Sequence, residues 1–286
     1  MSRNKDRLGL GEASSPEPSA PVAAMGANIF SFVAPTEFVQ LPSEGRYYTP
    51  DHPLSNRETI EIKQMTAKEE DILTSITLIK NGVALDRLLE SIIVDKSINP
   101  KTLLVGDRNA IVIAARVSGY GNTYKTSITC PQCITDQKYD FNLNDAGILT
   151  ATEVLANLSG DVQKLENGTY QVVLPRSNLT VGLRLMTGAD ENAIAKQIES
   201  DKKQQTERLV TTQLSRMIVS VNGNETREAI DYVVSNIPSA DSAYIRKTYK
   251  SLVPNLELKL GFTCTSCTHQ EQMEVPLTAE FFWPEQ

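Results

Sequence analysis

The sequence predicts an α+β fold made of two similar helical lobes, each ending in a hairpin that carries a pair of cysteines. Three observations lead to this expectation. The motifs Cys130-Pro-Gln-Cys133 and Cys264-Thr-Ser-Cys267 contain the only four cysteines of the chain. Each motif follows an alternation of apolar and polar residues, which is typical of a strand. Upstream of each motif, apolar residues recur at helical spacing, and the order of these elements is the same in both halves.

Length and composition indicate a globular protein. The chain has 286 residues, of which 40% are hydrophobic and 22% charged, enough for one large core or two modest ones. Its net charge of -7 and pI of about 5.1 argue against binding to a phosphate backbone. No apolar run reaches membrane-spanning length, and the N-terminus lacks the apolar segment of a signal peptide. We therefore expect synthesis in a cytoplasm, reduced cysteines and no membrane partner.

The N-terminal residues differ in character from the rest. Residues 1–27 are rich in Ser, Pro, Ala and Gly, which predicts a disordered tail. Residues 28–58 combine large apolar side chains with several prolines, which predicts an extended aromatic and proline-rich arm. Two placements of this arm stay open, since it could wrap its own domain or dock onto a partner chain.

The first lobe is predicted over residues 59–145. Its strand ends at Thr66, which begins a helix and forms a capping box with Glu69. A second amphipathic helix follows, and Asp107 is expected to cap a third helix that is apolar on all sides. The first cysteine motif comes next. The buried stripe of the first helix is predicted to be Ile72, Leu73, Ile76 and Ile79.

A connector with a short strand near Tyr170 is predicted over residues 146–178, and a second lobe over residues 179–286. The second lobe is predicted to contain a strand, a polar helix near residues 189–204, a helix with a buried stripe, and two further helices. The buried stripe is predicted to be Val210, Leu214, Met217, Ile218 and Val221. Asp241 is expected to start the last helix before the second cysteine motif. The closing Phe281-Phe-Trp-Pro284 segment predicts either a contact element or a cap on the protein's own core.

Spacing between landmarks predicts an internal repeat. Met-Thr ends the first strand of each lobe, at Met65 and Met186. Asp107 lies 23 residues before Cys130, and Asp241 lies 23 residues before Cys264. We therefore expect two copies related by a pseudo-dyad. The alternative is that two αβ segments share these spacings by chance.

The cysteines predict a metal site. Two thiolates from one tight turn supply half of a tetrahedral shell, so each lobe would end in a zinc knuckle and the lobes would join through a four-cysteine zinc ribbon. Disulfides, free thiols or a redox dithiol are the alternatives. His269 is a candidate outer partner or replacement ligand, or simply a polar residue of the outgoing strand. The predicted ligands of this structural zinc are Cys130, Cys133, Cys264 and Cys267.

Motifs for catalysis are missing from the sequence. It has no phosphate-cradling loop, no H-E-x-x-H and no nucleophile elbow. Only two histidines are present, and His52 in Asp51-His-Pro53 is typical of a turn. The carboxylates at residues 69–71 suit the first turn of a helix better than an acid–base pair. We therefore expect a protein that is not an enzyme.

Six segments of the sequence carry a resemblance to a known family: Leu41–Leu54, Met65–Leu73, Gly106–Ala110, the Cys130 pair, Pro238–Arg246 and Phe281–Pro284. Taken in order, they resemble the baseplate hub proteins of T-even-like, contractile-tailed bacteriophages. The resemblance covers about residues 29–284 and implies a structural or assembly component of the virion tail, with other tail proteins as partners. It implies no catalytic residues, and the knuckle cysteines of the family correspond to the four cysteines here. A zinc-ribbon nucleic-acid-binding module is the alternative, although the acidic charge makes nucleic acid an unlikely partner.

Overall fold

A computed structural model describes residues 34–203, 208–275 and 281 of the chain. These residues belong to one compact unit, Ala34–Gln286, in which helices and strands are mixed as the sequence predicts. The predicted tail, residues 28–33 of the predicted arm and Phe282 to Pro284 lie outside the described residues. The predicted division into arm, lobes and connector stays a prediction.

Strands are short and pair only in antiparallel fashion in the described residues. Four two-stranded sheets pair β1 with β2, β3 with β4, β5 with β10 and β11 with β12, and one four-stranded sheet has the order β6-β7-β8-β9. The strands are β1 (Thr36–Gln40), β2 (Thr59–Lys63), β3 (Thr123–Thr129), β4 (Asp136–Asn142), β5 (Gly147–Leu149), β6 (Val162–Lys164), β7 (Tyr170–Val173), β8 (Thr180–Leu183), β9 (Ile218–Val221), β10 (Asn255–Glu257), β11 (Lys259–Thr263) and β12 (Gln270–Glu274).

Helices fill most of the space between these sheets. The longest have 16 residues, and none of the described helices combines the length and apolarity needed to cross a membrane. The helices are α1 (Ala67–Thr74), α2 (Ile76–Lys80), α3 (Ala84–Ile92), α4 (Val105–Tyr120), α5 (Ala151–Ala156), α6 (Gly188–Lys203), α7 (Leu209–Met217), α8 (Arg227–Asn236) and α9 (Ser239–Leu252).

Buried apolar side chains form two cores. The first core draws on β1 to β4 and α1, α3 and α4, and the second on β6 to β9 and α7 to α9. The hairpin that carries the second cysteine motif packs into the first core, through Leu260 and Phe262 of β11. Leu104, just before α4, packs into the second core instead. Each half of the chain therefore contributes to the core of the other.

The two halves meet at a backbone joint, which we call the lobe joint. The N–H of Val105 donates to the carbonyl of Met186 over 3.1 Å, and the N–H of Gly188 donates to the carbonyl of Leu103 over 2.9 Å. Leu104 and Thr187 pair between these two bonds as an isolated antiparallel bridge. The segment before α4 is therefore hydrogen-bonded to the end of β8 and the start of α6.

A buried charge network lies beside the lobe joint. Arg108 of α4 donates to Asp86 of α3 over 2.5 Å and lies 3.5 Å from Glu191 of α6. Asn192 donates to the other oxygen of Asp86 over 2.7 Å. Gly188 leaves room for the Arg108 guanidinium, from which a Cβ at this position would be only 2.9 Å away. The network ties α6 to the first half of the chain by paired charges rather than apolar contact alone.

Both strand ends that carry Met-Thr form the same cap. The backbone N–H and hydroxyl of Thr66 donate to Glu69 over 2.9 and 2.6 Å, which confirms the predicted capping box. The backbone N–H and hydroxyl of Thr187 donate to Asp190 over 2.9 and 3.0 Å. Each threonine therefore binds a carboxylate three residues later, at the start of α1 and of α6.

Each capping carboxylate also accepts from a basic side chain of the preceding strand. Lys63 donates to Glu69 over 2.9 Å. Arg184 donates to both oxygens of Asp190 over 2.6 and 2.7 Å. Glu69 has a further donor in the hydroxyl of Ser91. Burial raises the pKa of Glu69, but the Ser91, Thr66 and Lys63 donors outweigh it and lower the pKa to about 2.

The prediction that Asp107 caps its helix and the prediction that Asp241 starts its helix are wrong. α4 and α9 begin two residues earlier, with Leu104 and Pro238 at their N-caps. Each aspartate is therefore the third residue of its helix, and both are fully buried. A carboxylate inside the first turn still lies close to the positive end of the helix dipole, but it points to a neighbouring loop rather than to its own helix.

Those loops supply the hydrogen bonds. The backbone N–H of Ser43 donates to Asp107 over 2.9 Å, and the hydroxyls of Ser43 and Tyr48 donate over 2.6 and 2.7 Å. Asp241 accepts from the two consecutive backbone N–H groups of Arg176–Ser177, each over 2.9 Å. In both halves the loop that joins two paired strands is therefore fastened to a helix by one buried carboxylate.

Two further predictions about helices are wrong. Ile76 and Ile79 are 67% and 45% exposed, because the helix breaks at Ser75 and α2 buries none of its residues. Residues 218–221 form β9 rather than the end of a helix, since this run contains three β-branched residues and pairs with β8. Helical spacing of apolar residues alone did not distinguish these cases.

The described part of the predicted arm packs on the protein itself. β1 pairs with β2 over its whole length, and Leu41 and Leu54 are fully buried in the first core. Phe281 is also buried, in edge-to-face contact with Tyr124, and its carbonyl accepts from Arg116 over 2.6 Å. Of the two alternatives for each segment, contact with the protein's own core holds for Leu41, Leu54 and Phe281, whereas Phe38 is 71% exposed.

Candidate metal centre

Two hairpins present the cysteine motifs. The strands of each hairpin separate into a short turn at the motif, and β3 pairs with β4 as β11 pairs with β12. The N–H of Cys130 donates to the carbonyl of Thr135 over 3.0 Å, and that of Cys264 donates to the carbonyl of His269 over 2.8 Å. The bond spans five residues in both turns, so the two turns have the same backbone closure.

A second bond tightens each turn. The N–H of Ile134 donates to the carbonyl of Cys130 over 2.9 Å, and that of Thr268 donates to the carbonyl of Cys264 over 3.1 Å. Ile134 and Thr268 both have a positive φ, 56° and 58°, although neither is glycine. Non-glycine residues adopt this conformation only where the surroundings hold them in it. The cysteine turns are thus built alike and are conformationally restrained.

The four sulfurs converge. All four Sγ atoms lie within 4.8 Å of one another. The Sγ atoms of Cys130 and Cys267 are 3.7 Å apart, and those of Cys133 and Cys264 are 3.6 Å apart. A tetrahedral ion with metal–sulfur bonds of about 2.3 Å needs sulfurs separated by about 3.8 Å. The arrangement is therefore compatible with a metal ion bound between the hairpins.

The hairpins also contact one another beside the cysteines. Tyr139 of β4 donates to the carbonyl of Gly261 in β11 over 3.0 Å. The backbone N–H and hydroxyl of Thr265 donate to the side-chain oxygen of Gln137 over 3.0 and 2.6 Å. These bonds hold the two turns face to face. The sulfurs of each motif differ in exposure, since Cys130 and Cys264 are buried, Cys133 is half-buried and Cys267 is exposed.

Electrostatics among the thiols favours a cation. A hydrogen bond from Thr135 lowers the pKa of Cys133 to about 6. Backbone N–H groups lower the pKa of Cys264. At Cys267 a backbone bond lowers the pKa, but burial and the neighbouring sulfurs outweigh it and raise the pKa to about 12. Sulfurs this close cannot all ionise by themselves, whereas a divalent cation stabilises all four thiolates together.

The two histidines lie in other environments. The His269 ring is 3.2 Å from a carboxylate oxygen of Glu271, and among the described residues the metal-ligand cluster consists of the four cysteines. His52 stacks on Tyr48 with ring centroids 4.3 Å apart, and its Nε2 lies 2.9 Å from the Thr102 hydroxyl. His52 thus helps to pack the loop after β1.

A shell of four sulfurs determines what such a centre can do. Thiolates are soft ligands, which suit zinc, copper(I) or iron rather than magnesium or calcium. Four protein ligands complete a tetrahedral shell and leave no position for water or substrate, as in structural rather than catalytic sites. The arrangement is therefore that of a structural metal site, which would hold together two hairpins that are far apart in sequence.

Sequence reasoning missed the lobe joint and its charge network. Asp86, Arg108 and Asn192 are scattered in sequence, and nothing in their local patterns relates them to one another. Gly188 was the only available signal, since glycine is an unusual first residue for a helix and indicates a close approach.

Comparison with known protein families identifies the family to which the chain belongs. The sequence matches, over residues 36–283, the family described as T4 bacteriophage base plate protein. This is most of the chain and includes every described strand and helix up to β12, as well as all four cysteines. The chain belongs to this family. No curated protein and no solved structure matches the chain.

Membership confirms the resemblance to phage baseplate proteins that the sequence predicts. As a baseplate protein, the chain is a structural part of a phage tail and acts among other tail proteins. Its cysteine cluster is compatible with a bound metal ion.

Proposed function

We propose that this baseplate protein is a non-catalytic structural or assembly component of the baseplate hub, held together by one structural zinc ion. The family match over residues 36–283 carries the proposal. The closed set of four thiols supports a structural role, because it offers no open coordination position. The virion tail is the proposed location, and other tail proteins are the proposed partners.

Zinc is the ion that the ligands favour. Four thiolates within 4.8 Å suit a small soft cation with tetrahedral geometry. Cys133 and Cys264 are 131 residues apart, so the ion would close a loop of nearly half the chain. Such closure costs little more than closing a short loop, while structural zinc contributes on the order of 10 kcal/mol. The proposed ligands are Cys130, Cys133, Cys264 and Cys267.

An internal repeat is part of the proposal, and matched contacts support it. The threonine caps, the basic partners of the capping carboxylates, the buried helix aspartates and the cysteine turns all recur in the two halves. A further match concerns the strands: Ile62 of β2 pairs with Ile93, just after α3, and Leu183 of β8 pairs with Ile218, just after α7. Independent matches of this kind are unexpected from chance spacing alone.

Metal content tests the proposal that one zinc ion joins the two cysteine turns, which we call the zinc clasp. Protein purified without added metal is expected to contain one zinc per chain by elemental analysis, with a ratio of two cysteine motifs to one ion. Absence of any bound metal would refute the clasp, and a ratio of two ions per chain would refute a shared site. Iron in place of zinc would keep the geometry but correct the identity of the ion.

Binding to neighbouring tail proteins tests the structural role. Deletion of residues 1–33 removes the apolar residues of the predicted arm that precede β1 and keeps every residue that the structure describes. We expect the truncated protein to keep its thermal transition and its zinc while binding less tightly to baseplate proteins in pull-down assays. A longer deletion to residue 54 would not be interpretable, because Leu41 and Leu54 are part of the core.

A zinc-ribbon nucleic-acid-binding module is the second candidate from the sequence. It requires salt-dependent binding through a basic surface. The net charge of -7 opposes this. A shift of DNA or RNA mobility at low salt that disappears in high salt would favour it over the structural role.

A further inference from the structure

The lobe joint uses only one of the two ways in which the proposed repeats could meet. It places the segment before α4, residues 103–105, on the end of β8 and the start of α6, residues 186–188. A symmetric contact would also place the segment before α9 on the end of β2. No such hydrogen bond exists among the described residues. The lobe joint is therefore formed once rather than twice, and each half retains one surface without its partner. We call these the unused surfaces.

The first unused surface is the segment before α9, residues 237–239. Leu103 and Leu104 have φ and ψ of -63° and 139°, and -62° and 146°. Ile237 and Pro238 have -63° and 138°, and -56° and 142°. The two segments thus have the same extended backbone and lead into helices at the same point. Residues 237–239 already have the conformation that residues 103–105 use in the lobe joint.

The second unused surface is Met65-Thr66-Ala67, which corresponds to Met186-Thr187-Gly188 in sequence and in its threonine cap. In the lobe joint the carbonyl of Met186 accepts and the N–H of Gly188 donates. In the described part of the chain, the carbonyl of Met65 and the N–H of Ala67 form no hydrogen bond.

The two unused surfaces are complementary. The N–H of Ser239 and the carbonyl of Ile237 also form no hydrogen bond with any described residue. They are the donor and acceptor that the Met65 carbonyl and the Ala67 N–H would need. The lobe joint and the unused surfaces also differ in burial. Residues 103, 104 and 188 of the lobe joint are buried, whereas residues 66, 67, 238 and 239 of the two unused surfaces are exposed.

We propose that a second copy of this chain docks head-to-tail, with residues 237–239 of one copy on residues 65–67 of the next. This inference rests on the internal repeat included in the proposed function. Ser239 N–H would donate to the Met65 carbonyl, and Ala67 N–H would donate to the Ile237 carbonyl. Such a contact repeats between chains the joint that already exists within one chain.

Side chains at the proposed contact agree with this arrangement. In the lobe joint, Gly188 leaves room for Arg108. At the equivalent positions Ala67 replaces the glycine, and Ser242 replaces the arginine. The larger residue on one surface is thus matched by a smaller residue on the other.

The geometry determines the kind of assembly. Because each copy offers one surface of each type, the contact is heterologous, and every added copy presents a new free surface. A ring forms if the rotation between copies closes, and otherwise a filament forms. The smallest such ring is a two-fold dimer, in which residues 237–239 of each copy contact residues 65–67 of the other.

Proline substitutions at the two helix starts test this contact. Ala67 and Ser239 are the first residues of α1 and α9, where proline is favoured and its missing N–H removes no helix bond. The preceding residues, Thr66 and Pro238, are already extended, as a following proline requires. Ala67→Pro and Ser239→Pro therefore each delete one donor of the contact. Ala67→Ser and Ser239→Ala are matched controls that keep the N–H.

Sedimentation of the full-length, zinc-loaded protein is the measurement. We expect the wild type and both controls to associate with rising concentration, and each proline variant to associate about tenfold more weakly, because a carbonyl is left without its donor. A mixture of the two proline variants is decisive. The Ser239→Pro copy keeps an intact 65–67 surface and the Ala67→Pro copy an intact 237–239 surface, so the mixture should form dimers and nothing larger.

Other outcomes overturn the proposal. A wild type that stays monomeric at the highest concentration reached, while folded and loaded with metal, refutes the head-to-tail contact and leaves the zinc clasp standing. Association that neither proline variant weakens refutes it as well, as does a mixture that behaves like the separate variants. A protein without metal would instead refute the proposed clasp, which elemental analysis of the same samples detects.

Discussion

Asp107 and Asp241 occupy the same place in α4 and α9 but are held by different donors. Two hydroxyls and one backbone N–H bind Asp107, whereas two backbone N–H groups bind Asp241. A hydroxyl can donate or accept, but a backbone N–H can only donate. The two aspartates therefore occupy equivalent positions, but the donors around Asp241 require a charged carboxylate more strictly than those around Asp107 do.

The pKa shifts of the two aspartates reflect this difference. Burial raises the pKa of Asp107, and its three donors do not overcome that effect. Burial acts in the same direction on Asp241, but the N–H of Arg176, the side chain and N–H of Ser177 and the charge of Arg176 together outweigh it and lower the pKa. The comparison teaches that one half of the protein relies on a fixed negative charge where the other half tolerates a neutral group.

The largest expected effect concerns the two cysteine turns, where the halves should be equivalent. If one ion is shared, Cys130→Ser and Cys264→Ser should each abolish metal binding and destabilise the fold by on the order of 10 kcal/mol. Elemental analysis and urea unfolding measure both effects. Half-occupied metal in either variant would show that the turns bind separately.

Controls for the cysteine variants come from the same turns. Gln132→Ala and Ser266→Ala change the residue between the cysteines and keep every sulfur and every backbone N–H. We expect full metal content and a change in unfolding free energy within about 0.5 kcal/mol for both. A chelator that lowers the stability of the wild type to that of the serine variants would complete the argument.

Asparagine substitutions at the two buried aspartates should lower the free energy of unfolding by different amounts. Asp241→Asn places an NH₂ group against a backbone N–H that cannot reverse, so we expect a loss of about 3 kcal/mol at pH 7. Asp107→Asn should cost about 1 kcal/mol, because the hydroxyls of Ser43 and Tyr48 can turn and accept. Urea unfolding of both variants measures the difference. Equal losses would mean that the type of donor is unimportant at these sites.

The basic partners of the capping carboxylates should differ by a smaller amount. Arg184 binds Asp190 through two parallel bonds, whereas Lys63 binds Glu69 through one and leaves the three donors of Thr66 and Ser91 in place. We expect Arg184→Met to cost about 2 kcal/mol and Lys63→Met about 1 kcal/mol in thermal or urea unfolding. A larger loss for the lysine variant would contradict the difference in geometry.

Features with a strict local spacing were predictable from the sequence. The cysteine motifs and the alternating strands beside them indicated two facing turns, and the sulfurs do converge. Thr66 and Glu69 have the spacing of a capping box, and the bond is present. Such features depend on residues close in sequence, where geometry leaves few alternatives.

Features that depend on tertiary contacts were not predictable. Asp107 and Asp241 have the composition of helix caps, but their carboxylates bind loops that the sequence does not place nearby. Ile76 matches a helical stripe and is nevertheless exposed, because the chain turns at Ser75. Residues 218–221 continue an apolar pattern of helical type and yet pair with β8. In each case a distant partner decides the outcome.

The smallest expected effect is a difference between the two aspartates in how their contribution to stability changes with pH. The folded pKa of Asp241 lies below its ordinary value of 3.8, so its ionised form stabilises the protein above that pH and the contribution is lost as pH falls through the folded pKa. The folded pKa of Asp107 lies above 3.8, so its contribution is present below that pH and is lost as pH rises through the folded pKa. The cost of Asp241→Asn should therefore shrink toward acid, and that of Asp107→Asn should shrink toward neutral pH. Unfolding measured for both variants from acid to neutral pH shows whether the slopes have opposite signs; slopes of the same sign would mean that both aspartates carry the same charge in the folded protein.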